Sequence, residues 1–403
     1  MKKLLALFLF LTLALAQEGP ALSGELTYTV GLRYSDLRIS QNQAGFSLKL
    51  KAETETAALV AELEGGPAGL GLGEAYARLY LGPVDLTAGR IVVSTGRTDL
   101  FSPLDAFNPK NLARPLAEPE NQKVPLEGVS LVYYPEDTDA ELELLYAPVF
   151  VPSTPPAGDW AQPFSLPPGV VKVESARPDP KLENGVFGLR ASTSLALLDG
   201  LDLGTTLLYT YTPFPGLKAL LDANNPSQPC LDPNAGPCVA VLGYDRLALL
   251  GGDLALAFQV PGVEGGFVAR AEAAYGRTAD TGGTDPFVQD SYLEGVLELE
   301  HTFPDGPTVL LLYQTRYAAA SGFTAHHLAV TARHEASEDL TLEGAWVHNL
   351  TDGSGALLPR LRYQLAGGVS AALRLAAFYG GANTEFGAWR ELDELGAELR
   401  YAF

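Results

Sequence analysis

The sequence predicts an all-β protein, a transmembrane antiparallel β-barrel of about 18 strands (roughly 16 to 20) with short periplasmic turns and long extracellular loops. Two observations carry this prediction. Apolar and polar residues alternate over long stretches, which gives each strand one apolar and one charged face. The connections between these stretches are tight at one end and long at the other, as in membrane barrels.

The last segment of the chain shows the alternation most clearly. Its apolar side chains point one way, at Leu395, Ala397, Leu399, Tyr401 and Phe403, while Glu394, Glu398 and Arg400 point the other. A second stretch sets Leu293, Leu297 and Leu299 against Glu294, Glu298 and Glu300. Helical spacing would scatter these charges around the helix axis. Both segments are therefore predicted to be strands.

The same pattern divides the chain into eighteen candidate strands. They are 23–39, 43–54, 57–64, 73–82, 84–94, 126–135, 138–148, 184–199, 201–213, 240–260, 264–278, 288–303, 306–319, 322–336, 339–350, 355–367, 369–380 and 389–403. Tight turns such as Gly82-Pro83 and Gly367-Gly368 alternate with long loops at 94–125, 148–183 and 213–239. In lipid, only a closed barrel lets all backbone N–H and C=O groups of such a sheet form hydrogen bonds. A soluble sandwich, propeller or β-helix is the alternative, but these strands exceed the usual length of about 5–6 residues.

The chain begins with the features of an exported protein. Lys2 and Lys3 precede an apolar run over 4–16 that ends in Ala14-Leu15-Ala16, which predicts a signal peptide at 1–16 and a single barrel domain at 17–403. The two cysteines, Cys230 and Cys238, are predicted to form a small disulfide loop in an oxidising compartment. Their spacing does not fit a zinc site.

The charge is strongly acidic, with 48 Asp and Glu against 27 Lys and Arg and a formal net charge of −21. A chain this acidic lacks the basic patches that bind nucleic acid. Thirteen acids and no base lie at the predicted short turns: Glu53, Glu55, Asp85, Glu136, Asp137, Asp139, Asp199, Asp202, Glu264, Asp305, Glu335, Glu338 and Asp339. The net charge therefore predicts at most a mild preference for cations inside the barrel.

The carboxyl terminus ends in Tyr401-Ala402-Phe403 after alternating apolar residues. It resembles the terminal signature of Gram-negative, porin-like outer-membrane β-barrels. The resemblance implies that Tyr401 and Phe403 form an assembly signal read by the barrel-assembly machinery. It also implies an outer-membrane location, with lipids of that membrane as partners.

A local motif follows the fifth candidate strand: Gly89-Arg90, Gly96-Arg97, Asp99 and then Phe-Ser-Pro-Leu-Asp-Ala-Phe-Asn-Pro at 101–109. It resembles the GR…G…D…PLD.FNP box of some outer-membrane barrel families. Those boxes often carry Trp before the central Gly, where this chain has Ser94-Thr95. The proline turns in this motif favour a folded element over a flexible loop.

The segment 94–125 is therefore the candidate constriction or plug. Its candidate pore residues are Arg90, Arg97, Asp99, Phe101, Asp105 and Phe107, with Arg and Asp setting a transverse field in a conducting channel. A plug held by an internal Arg–Asp pair is the alternative. Further lumen charges form an acidic row, Glu294, Glu298 and Glu300, and a basic row, Arg360, Arg362 and Arg374. Any single one of these residues is expected to be an ordinary solvated charge of the wall.

Catalysis, metals and cofactors are not expected. No Ser/His/acid set shares an inward face. His326 and His348 would lie opposite each other in a hairpin centred at Ser337, but they share the outer face with Leu328 and Trp346 and lack a third ligand. They are predicted to be interface residues beside an aromatic girdle.

The sequence thus predicts a channel for passive diffusion of small hydrophilic solutes or ions. One alternative is a gated or plugged barrel for a specific polysaccharide or apolar substrate, with an apolar entrance formed by Phe101, Phe107, Trp160 and Phe164. Another is a surface barrel that anchors the envelope by binding cell-wall material. The sequence leaves the oligomeric state open.

Overall fold

The structure is a computed structural model. It describes residues 19–67, 69–113, 122–164, 169–196, 200–225, 228–230, 237–281, 285, 288–318 and 321–403. The predicted signal peptide, 1–16, lies outside these residues.

Across these ranges the chain forms mainly β-strands, numbered here in chain order. They are β1 (Ala21–Arg33), β2 (Ile39–Glu53), β3 (Ala57–Gly66), β4 (Gly69–Leu81), β5 (Val84–Ile91), β6 (Leu126–Tyr133), β7 (Ala140–Ala147), β8 (Val170–Ala176), β9 (Val186–Leu195), β10 (Leu201–Tyr211), β11 (Gly216–Asp222), β12 (Cys238–Gly243), β13 (Arg246–Phe258), β14 (Gly266–Arg277), β15 (Tyr292–Thr302), β16 (Thr308–Ala318), β17 (Phe323–Glu335), β18 (Leu340–Asn349), β19 (Ser354–Ala366), β20 (Val369–Tyr379) and β21 (Glu394–Ala402). Short 3-10 helices lie at Gly158–Phe164, Leu182–Asn184 and Gly387–Leu392. No helix in the described ranges has the length and apolar character needed to cross a membrane.

Eighteen of the strands form one closed antiparallel sheet. Closure is made by the first and last strands, where Tyr28 of β1 lies opposite Leu399 of β21. Each remaining barrel strand pairs with the next barrel strand along the chain, so β7 pairs with β9 and β10 with β13. Strands β8, β11 and β12 stay outside the barrel. The predicted fold class, an antiparallel barrel of about 18 strands, is confirmed.

Every predicted strand overlaps a barrel strand, but several boundaries differ. The predicted strand 23–39 ends at Arg33, and Ile39 already belongs to β2. The predicted strand 240–260 is two strands: β12 leaves the barrel and β13 begins at Arg246. The carbonyl of Asp245 accepts a hydrogen bond from the N–H of Thr212, 2.8 Å away, which redirects the chain between the two strands. The predicted strand 389–403 begins only at Glu394, because 387–392 form a 3-10 helix.

The two faces of the barrel differ as the alternation predicts. Outward side chains are apolar and exposed, as at Leu297 with 60% of its surface exposed, whereas the neighbouring inward Glu298 is 3% exposed. The burial of a charged inward residue shows that the lumen is partly filled by protein.

A three-stranded sheet lies among the long loops and was not predicted. β12 pairs with β11 in antiparallel and with β8 in parallel orientation. The predicted disulfide between Cys230 and Cys238 is present at the edge of this sheet, with the two Cα atoms 5.8 Å apart. It closes a loop whose residues 231–236 lie outside the described part of the chain.

Candidate functional site inside the barrel

The described part of the connection between β5 and β6, residues 92–113 and 122–125, folds into the barrel and is called the insert. Its side chains pack against inward-facing residues of distant strands, including Leu208 of β10 and Leu249 of β13. Both wall residues are 1% exposed. The insert therefore lies within the lumen.

Two apolar side chains anchor the insert. Leu104 is 0% and Phe107 2% exposed, in a cluster that includes Leu145, Leu208 and Leu249 of the wall. A Cβ atom on Gly251 would lie 2.4 Å from the Leu104 side chain, so only glycine leaves room for this contact. Burying a leucine of this kind contributes about 1.5–3 kcal/mol.

Three buried carboxylates on successive strands face the insert: Asp253 of β13, Glu272 of β14 and Glu298 of β15. They are called the carboxylate row. They are 5%, 3% and 3% exposed, and Asp253 lies directly opposite Glu272 in the sheet. Burying such charges costs several kcal/mol each unless they gain partners. The insert supplies many of those partners.

Backbone N–H groups of the insert bind the row. Glu272 accepts hydrogen bonds from the N–H groups of Arg97 and, at 2.7 Å, Thr98, and from the Ser102 hydroxyl at 2.6 Å. Glu298 accepts the N–H of Asp99 at 3.0 Å. A loop buried in a lumen must pair its N–H groups somewhere. Hydrogen bonds to ionised acceptors are the stronger kind and fix the position of the turn.

Two arginines neutralise the end of the row at Asp253. Arg190 of β9 donates to both carboxylate oxygens, at 2.8 and 3.1 Å, and also to the carbonyl of Thr95. Arg97 of the insert donates its Nε to Asp253 and reaches Asp202 at 3.3 Å. Asp202, which the sequence places among the rim acids, is thus a partner of the insert.

The insert is also braced internally. Lys123 Nζ lies 2.9 Å from Asp105 and 2.7 Å from the Ser94 hydroxyl. The Asn108 side chain accepts the N–H of Val93 at 2.8 Å and donates to the carbonyls of Ile91 and Val124, both at 3.0 Å. These contacts tie the two ends of the insert together. The acid–base pair that braces it is Asp105 with Lys123, whereas Arg97 binds the wall.

The six candidate pore residues have different positions. As described above, Arg97 and Asp105 form ion pairs, and Phe107 is buried. The Asp99 carboxylate, in contrast, is 58% exposed and lies 3.9 Å from Arg270. Phe101 lies near His327 of the wall, with ring centroids 6.1 Å apart.

Arg90 is the exception among the candidates. It pairs with Ala75 on the outer face of the barrel, and its Nε donates to the carbonyls of Leu72 and Gly73 at 2.8 and 3.0 Å. Successive side chains of β5 alternate between the two faces, and Thr87 points into the lumen. Arg90, three residues further on, therefore points outward. The structure does not bring Arg90 to the insert.

The other predicted lumen charges form cross-strand ion pairs. Arg270 lies 2.5 Å from Glu298 and 3.0 Å from Glu300, and Arg316 lies 3.9 Å from Glu294. Beyond the insert, on β18–β21, the pairs are Arg360 with Glu398 at 3.0 Å, Arg362 with Glu343 at 3.7 Å and Arg374 with Glu394 at 3.3 Å. This part of the wall is called the paired sector. The predicted acidic and basic rows are therefore largely neutralised.

A second segment, 380–393, also folds over the lumen. Glu385 accepts hydrogen bonds at 2.7 Å from the His327 ring and the Asn349 amide. Asp352 accepts the N–H of Glu385 at 2.8 Å and the Ser354 hydroxyl at 2.6 Å. Partial burial alone would raise the pKa of Asp352, but these hydrogen bonds outweigh it and lower that pKa.

The two histidines considered for a metal pair do not face each other. His348 lies opposite Leu328, because Glu335 pairs with Thr341 and centres the hairpin on Glu338, not Ser337. His348 stacks between Trp346 and Tyr379, with centroids 5.5 and 5.9 Å away, as expected for an aromatic girdle. Among the described residues, no three His, Cys, Asp or Glu side chains come together as metal ligands.

Sequence reasoning missed Asp253 and Arg190 as a buried pair. Asp253 lies within an otherwise apolar stretch, Leu-Leu-Gly-Gly-Asp-Leu-Ala-Leu at 249–256. A lone acid beside two glycines was the available signal, because the glycines leave space for a neighbouring backbone. Of the predicted apolar entrance, Trp160 packs against Phe378 and Trp389, and the side chain of Phe164 lies outside the described part.

The fold is that of a closed 18-stranded barrel, here with a loop folded into its lumen. Solved structures share the barrel fold. OccK10 (OpdN) of Pseudomonas aeruginosa matches with 12% identity over 96% of this chain and 99% of that chain, at a TM-score of 0.58. OpdK of the same organism, crystallised with vanillate, matches with 12% identity over 96% and 99%, at a TM-score of 0.57.

OccAB1 of Acinetobacter baumannii matches with 9% identity over 95% of this chain and 96% of that chain, at a TM-score of 0.55. No protein-family model matches the sequence. No curated protein matches it either. At identities this low, these matches establish a shared fold and nothing more.

Proposed function

We propose that the protein is an outer-membrane channel for passive diffusion of small hydrophilic solutes or ions. The observation that carries the proposal is a closed barrel with an apolar outer face and a lumen that the insert narrows on one side. OpdK, which shares the fold, is an outer membrane protein. A barrel with exposed Leu297 and Leu254 rows on its outside requires lipid to cover them.

Solutes pass along the paired sector in this proposal, because the opposite wall lies under the insert. Side chains of the sector remain partly open: Arg360 is 19%, Glu398 23% and Arg362 29% exposed. Acidic and basic side chains both line this wall, which favours passage of neutral and weakly charged solutes. The carboxylates under the insert contribute little field, since arginines and N–H groups compensate them. The expected selectivity is at most mildly cationic.

Single-channel recording in planar bilayers tests the proposal. The folded protein should give stable ohmic openings, and absence of conductance from a correctly folded barrel would contradict it. Replacing residues 94–125 by a short glycine linker separates a constriction from a plug. Conductance that rises modestly supports the constriction, while conductance that appears only after the replacement establishes the plug.

The tight packing of Leu104 and Phe107 against the wall favours the plug as a second candidate. A plugged barrel would need the insert to move, which exposes the carboxylate row. The recording of the intact protein decides between the two. An anchoring role is tested by binding of cell-wall fragments, which a channel does not require.

A further inference from the structure

A cavity of about 900 Å³ lies on the long-loop side of the lumen. It is bounded by Phe101 of the insert, by β15–β20 and by the segment 380–393. Its size falls within the range of about 300–1,000 Å³ typical of small-molecule sites. Any solute that enters from the long loops in the proposed channel reaches this cavity before the paired sector.

One side of the cavity is apolar and made largely of rings. Phe378 of β20 and Phe386 and Trp389 of the 380–393 segment line it, with Leu358 of β19 beside them. The rings pack edge to face, Trp389 being 5.8 Å from Phe378 and 6.4 Å from Phe386 between centroids. The indole N–H donates to the carbonyl of Trp160 at 3.1 Å, which holds the ring in place.

The other side is polar and carries donors and acceptors together. Gln314 donates its amide to Glu294 at 2.6 Å, and Arg316 lies 3.9 Å from the same carboxylate. The guanidinium is held 4.0 Å from the centre of the Tyr292 ring. Gln289 and Asp290 complete this side. These groups orient one another before any ligand arrives.

The two sides select different parts of one ligand. Rings favour a flat apolar face, and the amide, guanidinium and carboxylates favour groups that both donate and accept hydrogen bonds. A sugar ring has both: C–H bonds on its face and hydroxyls at its edge. Asp290, Glu294, Asp352 and Glu385 outnumber Arg316, which disfavours anions. Each of the four carboxylates already accepts a hydrogen bond or contacts a donor of the protein, which favours a neutral ligand over a cation.

We propose that this cavity is a binding site for neutral sugars of one or two rings, an inference that rests on the proposed channel function. The sugar stacks on Trp389 and Phe386 and hydrogen-bonds to Gln314, Arg316 and Glu294. Hydroxyls satisfy both Arg316 and Glu294 without leaving a buried charge unpaired. Passage of such sugars is therefore saturable.

The test is blockade of the single-channel current by glucose and maltose, with benzoate and benzylamine as anionic and cationic ring probes. The wild-type channel should show a saturable reduction of current with the sugars. Gln314→Ala and Trp389→Leu should each raise the half-saturating concentration about tenfold. Lys51→Ala is the matched control, because Lys51 lies near the opposite rim, is 54% exposed and pairs with Glu53.

The outcomes separate the two proposals. Current that sugars reduce only linearly, or that benzoate or benzylamine blocks more strongly, overturns the sugar site while the channel stands. The sugar site is also overturned if the saturable block is equally strong in Gln314→Ala, Trp389→Leu and Lys51→Ala. A folded barrel without any current contradicts the channel itself. Liposome swelling that saturates with maltose and is unaffected by Lys51→Ala supports the site.

Discussion

The covered wall beneath the insert and the paired sector use the same residue types in opposite ways. At the row, the Asp253 and Glu298 side chains are 0% exposed and held by the insert and by arginines. In the paired sector, Glu398 and Glu343 are 23% and 22% exposed and face arginines across the strands, whereas Glu394, next to the 380–393 segment, is buried. Burial decides the role: the row fixes an element of structure, and the sector lines a passage.

Asp253→Ala probes the covered wall most severely. It leaves the buried Arg190 and the Arg97 side chain without their shared carboxylate. The free energy of unfolding should fall by about 3–5 kcal/mol, as for other broken buried pairs. Urea unfolding in phospholipid vesicles, followed by tryptophan fluorescence, measures it. Glu343→Ala is the control in the paired sector, and an equal loss there would abolish the distinction.

Leu104→Ala tests the apolar anchor of the insert. Leu104 is fully buried, so its truncation should cost about 2–5 kcal/mol and leave a cavity against Gly251. The same unfolding experiment measures the loss, and current noise from a loosened insert should increase. Unchanged stability would mean that the insert does not pack on the wall.

Ser102→Ala removes one hydrogen bond to the carboxylate row. The Ser102 hydroxyl lies 2.6 Å from Glu272, which keeps its bonds to the N–H groups of the insert. A loss of about 1 kcal/mol is expected, with little change in conductance. Ser370→Ala, on β20, is the comparison and should have no measurable effect on stability.

Glu398→Gln should have the smallest effect on stability and a visible effect on selectivity. The Arg360–Glu398 pair is partly exposed, so its loss costs less than about 1 kcal/mol. Loss of the Glu398 charge should shift the reversal potential in a salt gradient towards anion permeation. A selectivity identical to that of the wild type would place the passage elsewhere.

The sequence predicts the barrel well because every strand must present one apolar face, and that alternation is local. The positions of the insert's partners are not local: Asp99 and Glu298 are 199 residues apart in the chain. Which face Arg90 occupies depends on strand pairing, which the motif does not reveal. Residues 238–243 look like a continuation of β13, and only their hydrogen bonds to β8 and β11 separate them.

The box around Gly96 is explained only by the three-dimensional contacts. A Cβ atom there would lie 1.8 Å from the Ser102 hydroxyl and 2.9 Å from Glu272. Glycine thus permits the turn whose N–H groups bind the row. The motif predicted a folded element correctly, and its wall partners lie outside the motif.

The most direct test of the central claim is thiol modification during current recording, with single cysteines placed on the two walls. The only native cysteines are paired in a disulfide, so introduced thiols report alone. Ser370→Cys in the paired sector should react with a charged methanethiosulfonate and change the current. Thr206→Cys, at a position 2% exposed beneath the insert, should stay unmodified. Equal reaction rates at the two sites would contradict the account.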